Sequence, residues 1–312
     1  MRKPVVPVTV IAPASALVWW LVGYLPWLIG DAADKVDPVD AYSVADRIVA
    51  LPLLTAHLPL LVLCGVVGGA CAGLLTLFSD GQPATTLTAS FAGLACAVLV
   101  TGIWSTSVLG NVETGDDANA AVLAALMATA AGATLLGWLF GAGAYFGRVP
   151  LGIALCGLAG ALPTWLLYII FSVGLEDRSE LLYTASWYLG AGLLAVGLVV
   201  IGVRPYVRLL AWAAAIVLAW IVLPALTAAG YLGATLHPPA TVTDSLGPAW
   251  DVFVLALKPA HAPADWAVPF IVAIGLALAV SVRLEMRRAT SGDDVDDHSP
   301  VDPSSSSRTT SR

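Results

Sequence analysis

Charge is scarce in this sequence, and the scarcity excludes an ordinary soluble domain. Of the 312 residues, 11% are Asp, Glu, Lys or Arg and 59% are apolar, whereas soluble domains average about 25% charged and about half apolar residues. No Asp, Glu, Lys or Arg lies deep within a long apolar run, although His57 does. The chain therefore lacks the paired buried charges on which many intramembrane proton and ion pathways depend.

Catalytic signatures are missing as well. The sequence contains no GxSxG elbow, no HExxH pair, no P-loop and no GxGxxG in a strand and helix context. These motifs place nucleophiles, metal ligands or phosphate-binding backbone in common enzyme classes. We therefore predict that the protein is not an enzyme, that it uses no cofactor and that nucleic acid is not among its partners.

Cysteine is also sparse, and its placement argues against a disulfide framework. Cys64, Cys71, Cys96 and Cys156 lie within apolar runs, where cysteine behaves as a small hydrophobic residue. His57, Cys64 and Cys71 share one helix face at a spacing of seven residues. Such a spacing separates the side chains by about 10 Å, whereas zinc ligands lie about 2 Å from the ion. We predict no metal site.

Long continuous apolar runs are what the sequence has in abundance. Runs of about 20 residues can cross the hydrocarbon core of a bilayer as helices, and their continuity argues against a barrel. We predict an all-α, polytopic membrane helix bundle over residues 1–288, with about eight transmembrane helices and both termini cytoplasmic. The predicted spans cover approximately residues 8–29, 48–78, 85–109, 119–146, 151–173, 182–203, 207–236 and 268–284.

The predicted orientation follows from the positive-inside rule. With both termini in the cytoplasm, eight Lys or Arg residues flank the inner ends of the spans and four lie outside. The acidic loops are then extracytoplasmic, and we expect a multi-pass protein of the bacterial cell membrane. Residues 289–312 are rich in Asp, Ser and Thr, which predicts a disordered cytoplasmic tail.

Small residues recur at every fourth position in several spans, and this spacing predicts close helix packing. The glycines of these predicted packing seams are Gly65, Gly69, Gly73, Gly137, Gly141, Gly152 and Gly160. We expect the second span to begin near Val44 and to bend at Pro52. Tyr24 and Trp27 suit the interfacial belt. Between the last two spans, Pro248 suits the first position of a short interfacial helix.

One group of residues is compatible with a solute path. His57 is an ionisable side chain inside a span, which is a functional hypothesis by default, and Thr101, Ser105 and Tyr168 offer hydroxyl groups. The structural interpretation, which we favour, is a neutral His57 bonded to a carbonyl that a nearby proline leaves free. Serine and threonine in helices such as Ser105 usually bond back to their own helix.

The aspartates from Asp31 to Asp40 permit a calcium interpretation, but the absence of a DxDxDG pattern favours a solvated loop. We therefore expect a non-enzymatic accessory or scaffold subunit of a cell-envelope or transport assembly. Its partners are the lipid bilayer and other membrane proteins or a second copy of itself. The alternative is a transporter or channel for a neutral or weakly polar solute. An enzyme of lipid-linked substrates, using His237 or His261, ranks third.

Overall fold

The protein is a bundle of helices. The computed structural model describes residues 6–36, 49–79, 81–109, 120–173, 179–236, 242–258 and 264–296. Within these ranges the regular elements are helical, and Val6 forms an isolated bridge with Ser79. The α-helices are α1 Val8–Val18, α2 Leu25–Val36, α3 Leu58–Leu74, α4 Pro83–Leu109, α5 Ala120–Gly143, α6 Arg148–Ser172, α7 Ser179–Ile201, α8 Arg208–Thr235, α9 Val242–Leu257 and α10 Ala264–Asp296.

In the described part of the chain, seven helices are long and apolar enough to cross a membrane, which confirms the all-helical class and supports a multi-pass membrane protein. These helices are Thr55–Phe78, Pro83–Val108, Ala120–Phe146, Arg148–Ser172, Glu180–Ile201, Arg208–Thr235 and Ala267–Met286. The remaining predicted span, at the N-terminus, differs from them. Its apolar helix Val8–Gly23 is shorter and ends in a π-helical segment, Trp19–Gly23.

This first segment nevertheless runs the length of the neighbouring span. At one end, the Val6 N–H donates to the Phe78 carbonyl at 2.9 Å. At the other end, the Trp27 indole N–H donates to the Val49 carbonyl at 2.7 Å. The chain from Val6 to Trp27 therefore extends from the last residue of the span Thr55–Phe78 to a point just before its start.

The prediction for the beginning of the second span is wrong. Instead of a helix bent at Pro52, residues 49–54 are irregular, and a short 3₁₀ segment, Thr55–His57, leads into α3. Proline removes a backbone donor and disfavours the helical conformation of the residue before it, so the helix cannot propagate backward past Pro52. Pro59 lies in the first turn of α3, where a missing N–H costs little. The expected start near Val44 lies outside the described residues.

Two other boundaries also differ from the expectation. The helix α9 begins at Val242, so Pro248 lies inside it and not at its start. The missing N–H of Pro248 removes one backbone hydrogen bond, near the exposed beginning of α9. The helix α10 continues to Asp296, past the predicted boundary at residue 288. Residues 297–312 lie outside the described residues.

The span that contains α3 is at the centre of the bundle. In its most apolar window 67% of the residues are buried, whereas the other six spans range from 28% to 50%. One apolar cluster joins the segment that follows α1 to α3, α4 and α5, and a second joins α6, α7, α8 and α10. A third cluster connects the two halves through Leu63, Val67, Ala161 and Leu226. Because α3 contributes to the first and the third, it links the halves.

The glycines of the predicted seams lie at close helix contacts. On α3, a Cβ at Gly69 would meet the Thr134 carbonyl of α5. In return, a Cβ at Gly137 would meet the Val66 carbonyl and one at Gly141 would meet the Ala70 carbonyl. Gly65 and Gly73 face the same helix, through Ala133 and Ala142. The stripes of α3 and α5 are therefore packed against each other.

The seam on α6 is divided between two neighbours. A Cβ at Gly152 would lie 2.6 Å from the Gly197 carbonyl oxygen of α7, and one at Gly160 would meet the Ala219 carbonyl of α8. Cys156, between them, is fully buried, and its thiol donates to the Leu194 carbonyl at 3.8 Å. A single stripe of small residues thus brings α6 close to both α7 and α8.

Candidate functional site

The irregular segment Val49–Leu54, which we call the unwound segment, is buried inside the bundle. Leu51 and Leu53 are both 0% exposed, and Thr55, at the start of the following helix, is 3% exposed. Irregular backbone at membrane depth is tolerated where protein covers it or where it lines a cavity, since hydrocarbon cannot satisfy its polar groups. The hydrogen bonds of this segment therefore need to come from neighbouring helices.

Three side chains supply those hydrogen bonds. The indole N–H groups of Trp20 and Trp27 donate to the carbonyls of Ala50 and Val49, at 3.4 Å and 2.7 Å. The Leu51 N–H donates to Ser105 Oγ at 2.9 Å. Donors from the N-terminal segment and an acceptor from α4 thus replace the helical bonds that Pro52 prevents.

The residues of the predicted solute path have different positions around this segment. His57 follows it, and its ring lies 5.4 Å from the ring of Trp27. Ser105 contacts it directly, through the bond from Leu51, and so departs from the expected bond within its own helix. Thr101, one turn earlier on α4, donates to the Ala97 carbonyl at 2.7 Å. The structure therefore brings His57 and Ser105 to the unwound segment, whereas Thr101 is bonded within its own helix.

Tyr168, the remaining residue of the predicted path, belongs to a second group of polar side chains. It packs against both the first and the third apolar clusters, at the junction of the two halves. Cys64, on α3, and Tyr24 belong to the first apolar cluster, against which Tyr168 packs. We call Tyr24, Cys64 and Tyr168 the tyrosine cluster.

Tyr24, which was expected to suit the interfacial belt, is covered by the protein itself. It is 0% exposed, and its ring meets the ring of Trp19 edge to face at 5.1 Å. Its hydroxyl has no hydrogen-bond partner among the described residues. The adjacent Thr134 hydroxyl accepts the Trp19 indole N–H at 3.0 Å. The crowding of aromatic residues around Gly23 was the available sequence signal.

The π-helical segment before Tyr24 explains this burial. A Cβ at Gly23 would lie 2.6 Å from the Gly68 Cα and 2.7 Å from the Cys64 carbonyl oxygen, so the two backbones are nearly in contact. The Gly23 carbonyl accepts the Trp165 indole N–H of α6 at 3.2 Å. π-Helical segments are rare and frequently occur at functional sites. Here the segment turns Tyr24 toward α3.

A third polar group holds four helices together. Ser15 and Ser90 are fully buried, their hydroxyls lie 3.0 Å apart, and Ser90 donates to the Ala72 carbonyl at 3.2 Å. The Trp138 indole N–H donates to Ser90 Oγ at 3.2 Å. These contacts join α1, α3, α4 and α5, so this group serves packing.

The chemistry available in the described interior is neutral hydrogen bonding. Among the residues that the structure describes, no three His, Cys, Asp or Glu side chains are grouped as metal ligands would be. The acidic residues 37–46 and 113–117, as well as His237 and His261, lie outside those residues. Comparisons of this chain with protein-family models, with curated proteins and with solved structures found no match.

Proposed function

We propose that the protein is a non-enzymatic membrane protein that acts as an accessory or scaffold subunit of a cell-envelope or transport assembly. It associates laterally with other membrane helices through a face of α5. The observation that carries this proposal is a row of small residues on α5 that the rest of the described chain leaves uncovered.

Ala124, Ala128 and Gly132 form this row, which we call the outer face of α5. All three are exposed, and a Cβ at Gly132 would have no atom within 4 Å among the described residues. Gly137 and Gly141, on another face of the same helix, already show how closely a second helix can approach small residues. In a bilayer, small residues at a spacing of four favour such packing because they allow backbones to come close together.

The hydroxyl groups near the end of α4 support this proposal. Ser105 stabilises the unwound segment, while Thr101 of the predicted path and its neighbours Thr106 and Ser107 donate to carbonyls of their own helix, at 2.7, 2.9 and 2.7 Å. Side chains already bonded in this way contribute to structure. They offer few free groups to a passing solute.

The test is gentle extraction from native membranes, followed by sizing and mass spectrometry. We expect a stoichiometric partner, or a second copy, to accompany the wild-type protein and to be lost from the Gly132→Leu variant. Gly275→Leu is the matched control, because a Cβ there also has no atom within 4 Å in the described chain. A wild-type protein that is extracted alone as a monomer would overturn the proposal.

We also propose eight membrane crossings in a bacterial cell membrane, with both termini cytoplasmic and the acidic loops outside. The hydrogen bonds that join Val6 to Phe78 and Trp27 to Val49 support a first crossing beside α3. Arg148 and Arg208 lie together at one end of the bundle, as the positive-inside rule expects of the cytoplasmic side. Labelling of single cysteines in intact cells tests this topology: a cysteine at position 206 should be protected and one at position 258 should react.

The second candidate function is transport of a neutral or weakly polar solute. The specific observation in its favour is the Tyr24 hydroxyl, which is buried without a partner among the described residues. Tyr24 belongs to the apolar cluster that also contains Cys64 and that packs against Tyr168. A flux assay in vesicles distinguishes the candidates. If the protein transports, Tyr24→Phe should reduce flux without loss of folding, whereas the accessory proposal expects no flux in the wild type.

A further inference from the structure

Two adjoining cavities lie at the end of the bundle where α6 and α8 begin. The first, which we call the polar cleft, has a volume of about 40 Å³ and lies beside Arg148, Arg208, Ser281 and Glu285. The second, which we call the apolar groove, has a volume of about 350 Å³. Its lining includes Val203, Arg204, Tyr206, Leu278, Val282 and Glu285. Val203 and Glu285 line both cavities, so the two lie side by side.

The polar cleft is suited to an anion. Arg148 is the first residue of α6 and Arg208 the first of α8, and the beginning of a helix carries a partial positive charge that favours anions. With Arg204 of the groove, three arginines oppose one acidic residue, Glu285, around the two cavities.

Hydrogen bonds within the chain hold the wall of the polar cleft in place, and two polar side chains of the cleft remain available to a ligand. Arg208 donates to the Ile201 carbonyl at 3.2 Å, and the Trp212 indole N–H donates to the Gly202 carbonyl at 3.1 Å, so the turn between α7 and α8 is held in place. Ser281 is 3% exposed, and its hydroxyl has no partner among the described residues. Arg148 is exposed.

The apolar groove is suited to a hydrocarbon chain. Leu278 and Val282 of α10 are 48% and 43% exposed, and Tyr206 is 72% exposed at the turn before α8. Leu209 of α8 also lines the groove. Tyrosine is enriched at membrane interfaces, and apolar side chains beside the end of a spanning helix face lipid tails.

We propose that these cavities bind one anionic phospholipid of the phosphatidylglycerol type. Its phosphate lies between Arg148, Arg208 and the Ser281 hydroxyl, and an acyl chain lies in the apolar groove. Glu285 lies at the border of the two cavities. Basic pockets between transmembrane helices are known to bind such head groups. A free phosphate ion would satisfy the cleft but would leave the groove unused.

Native mass spectrometry of the full-length protein tests the proposal. The protein is released from nanodiscs that contain equal amounts of phosphatidylglycerol and phosphatidylcholine. We expect phosphatidylglycerol to be retained preferentially, and Arg148→Gln to lower its retention about fivefold, because one arginine near an anionic surface contributes about 1 kcal/mol. Arg283→Gln is the matched control: it removes the same charge from the same end, but Arg283 lines neither cavity.

Three outcomes would overturn the proposal. The first is equal retention of the two lipids by the wild type, and the second is unchanged retention by Arg148→Gln. The third is complete displacement of the lipid by soluble glycerol phosphate, which would show that the cleft takes a free phosphate. Arg148 is exposed, so its variant should fold; an unchanged circular dichroism spectrum and elution volume check this.

Discussion

Trp27 donates its indole N–H to the carbonyl oxygen of Val49 at 2.7 Å, across 22 residues of sequence. Its ring also lies 5.4 Å from the ring of His57. Trp27 therefore contacts the chain on both sides of Pro52, where the irregular segment leads into the helical span Thr55–Phe78. This relationship makes the unwound segment a stable part of the fold, and it ties the first segment of the chain to the central helix.

Replacing Trp27 by phenylalanine should destabilise the protein. The change keeps an aromatic ring but removes the indole N–H that donates to the carbonyl of the buried Val49. A hydrogen bond of this kind contributes about 0.5–1.5 kcal/mol to stability. The free energy of unfolding in detergent measures the effect. Trp250→Phe is the control, since Trp250 is 63% exposed; equal losses in the two variants would contradict the role of the hydrogen bond.

Replacing Gly69 by alanine should open the contact between α3 and α5. The new Cβ would meet the Thr134 carbonyl, a backbone group that cannot rotate away, and overpacking of this kind costs about 1–3 kcal/mol. Gly275→Ala provides the contrast, because its Cβ would have no atom within 4 Å in the described chain. There, alanine should be neutral or stabilise the helix by up to about 1 kcal/mol. Unfolding midpoints that fall equally for both variants would refute the assignment.

Removal of the hydroxyl group should have different effects on the free energy of unfolding at Tyr24 and at Ser105. Tyr24→Phe removes a buried hydroxyl without a partner, so the free energy of unfolding should stay the same or rise. Ser105→Ala removes the acceptor of the Leu51 N–H, and should lower stability by about 1–3 kcal/mol. Thermal unfolding of both variants in the same detergent provides the comparison, and a clear loss in Tyr24→Phe would mean that its hydroxyl is bonded.

Gly202 should not tolerate a side chain at the turn between α7 and α8. Its φ of +75° lies in the left-handed region, which costs other residues about 1–2 kcal/mol. We expect Gly202→Ala to lower the free energy of unfolding by that amount. Gly192→Ala, within α7 and with no atom near the added Cβ in the described chain, should have no such cost. If Gly202→Ala were as stable as that control, the turn would have another conformation.

Run length and composition by themselves determined which parts of this chain form long apolar helices. The limits of α4 and α5 lie within a few residues of the predicted spans, because a helix satisfies its backbone locally and needs only enough apolar residues to cross a membrane. The spacing of glycines likewise follows from the sequence, since residues four apart share one helix face.

Only the tertiary structure decided how those faces are paired and where the helices are interrupted. The glycines of α3 and α5 face each other, whereas the seam of α6 is shared between α7 and α8. A disturbance of the helix at Pro52 could be anticipated, although as a bend and not as an irregular segment, and the burial of residues 49–54 could not. It depends on donors and acceptors at Trp20, Trp27 and Ser105. Tyr24 lies in the interior for a related reason, the close contact of Gly23 with Gly68. Such contacts join residues far apart in the chain, and local sequence patterns carry no information about which distant backbone group a side chain will meet.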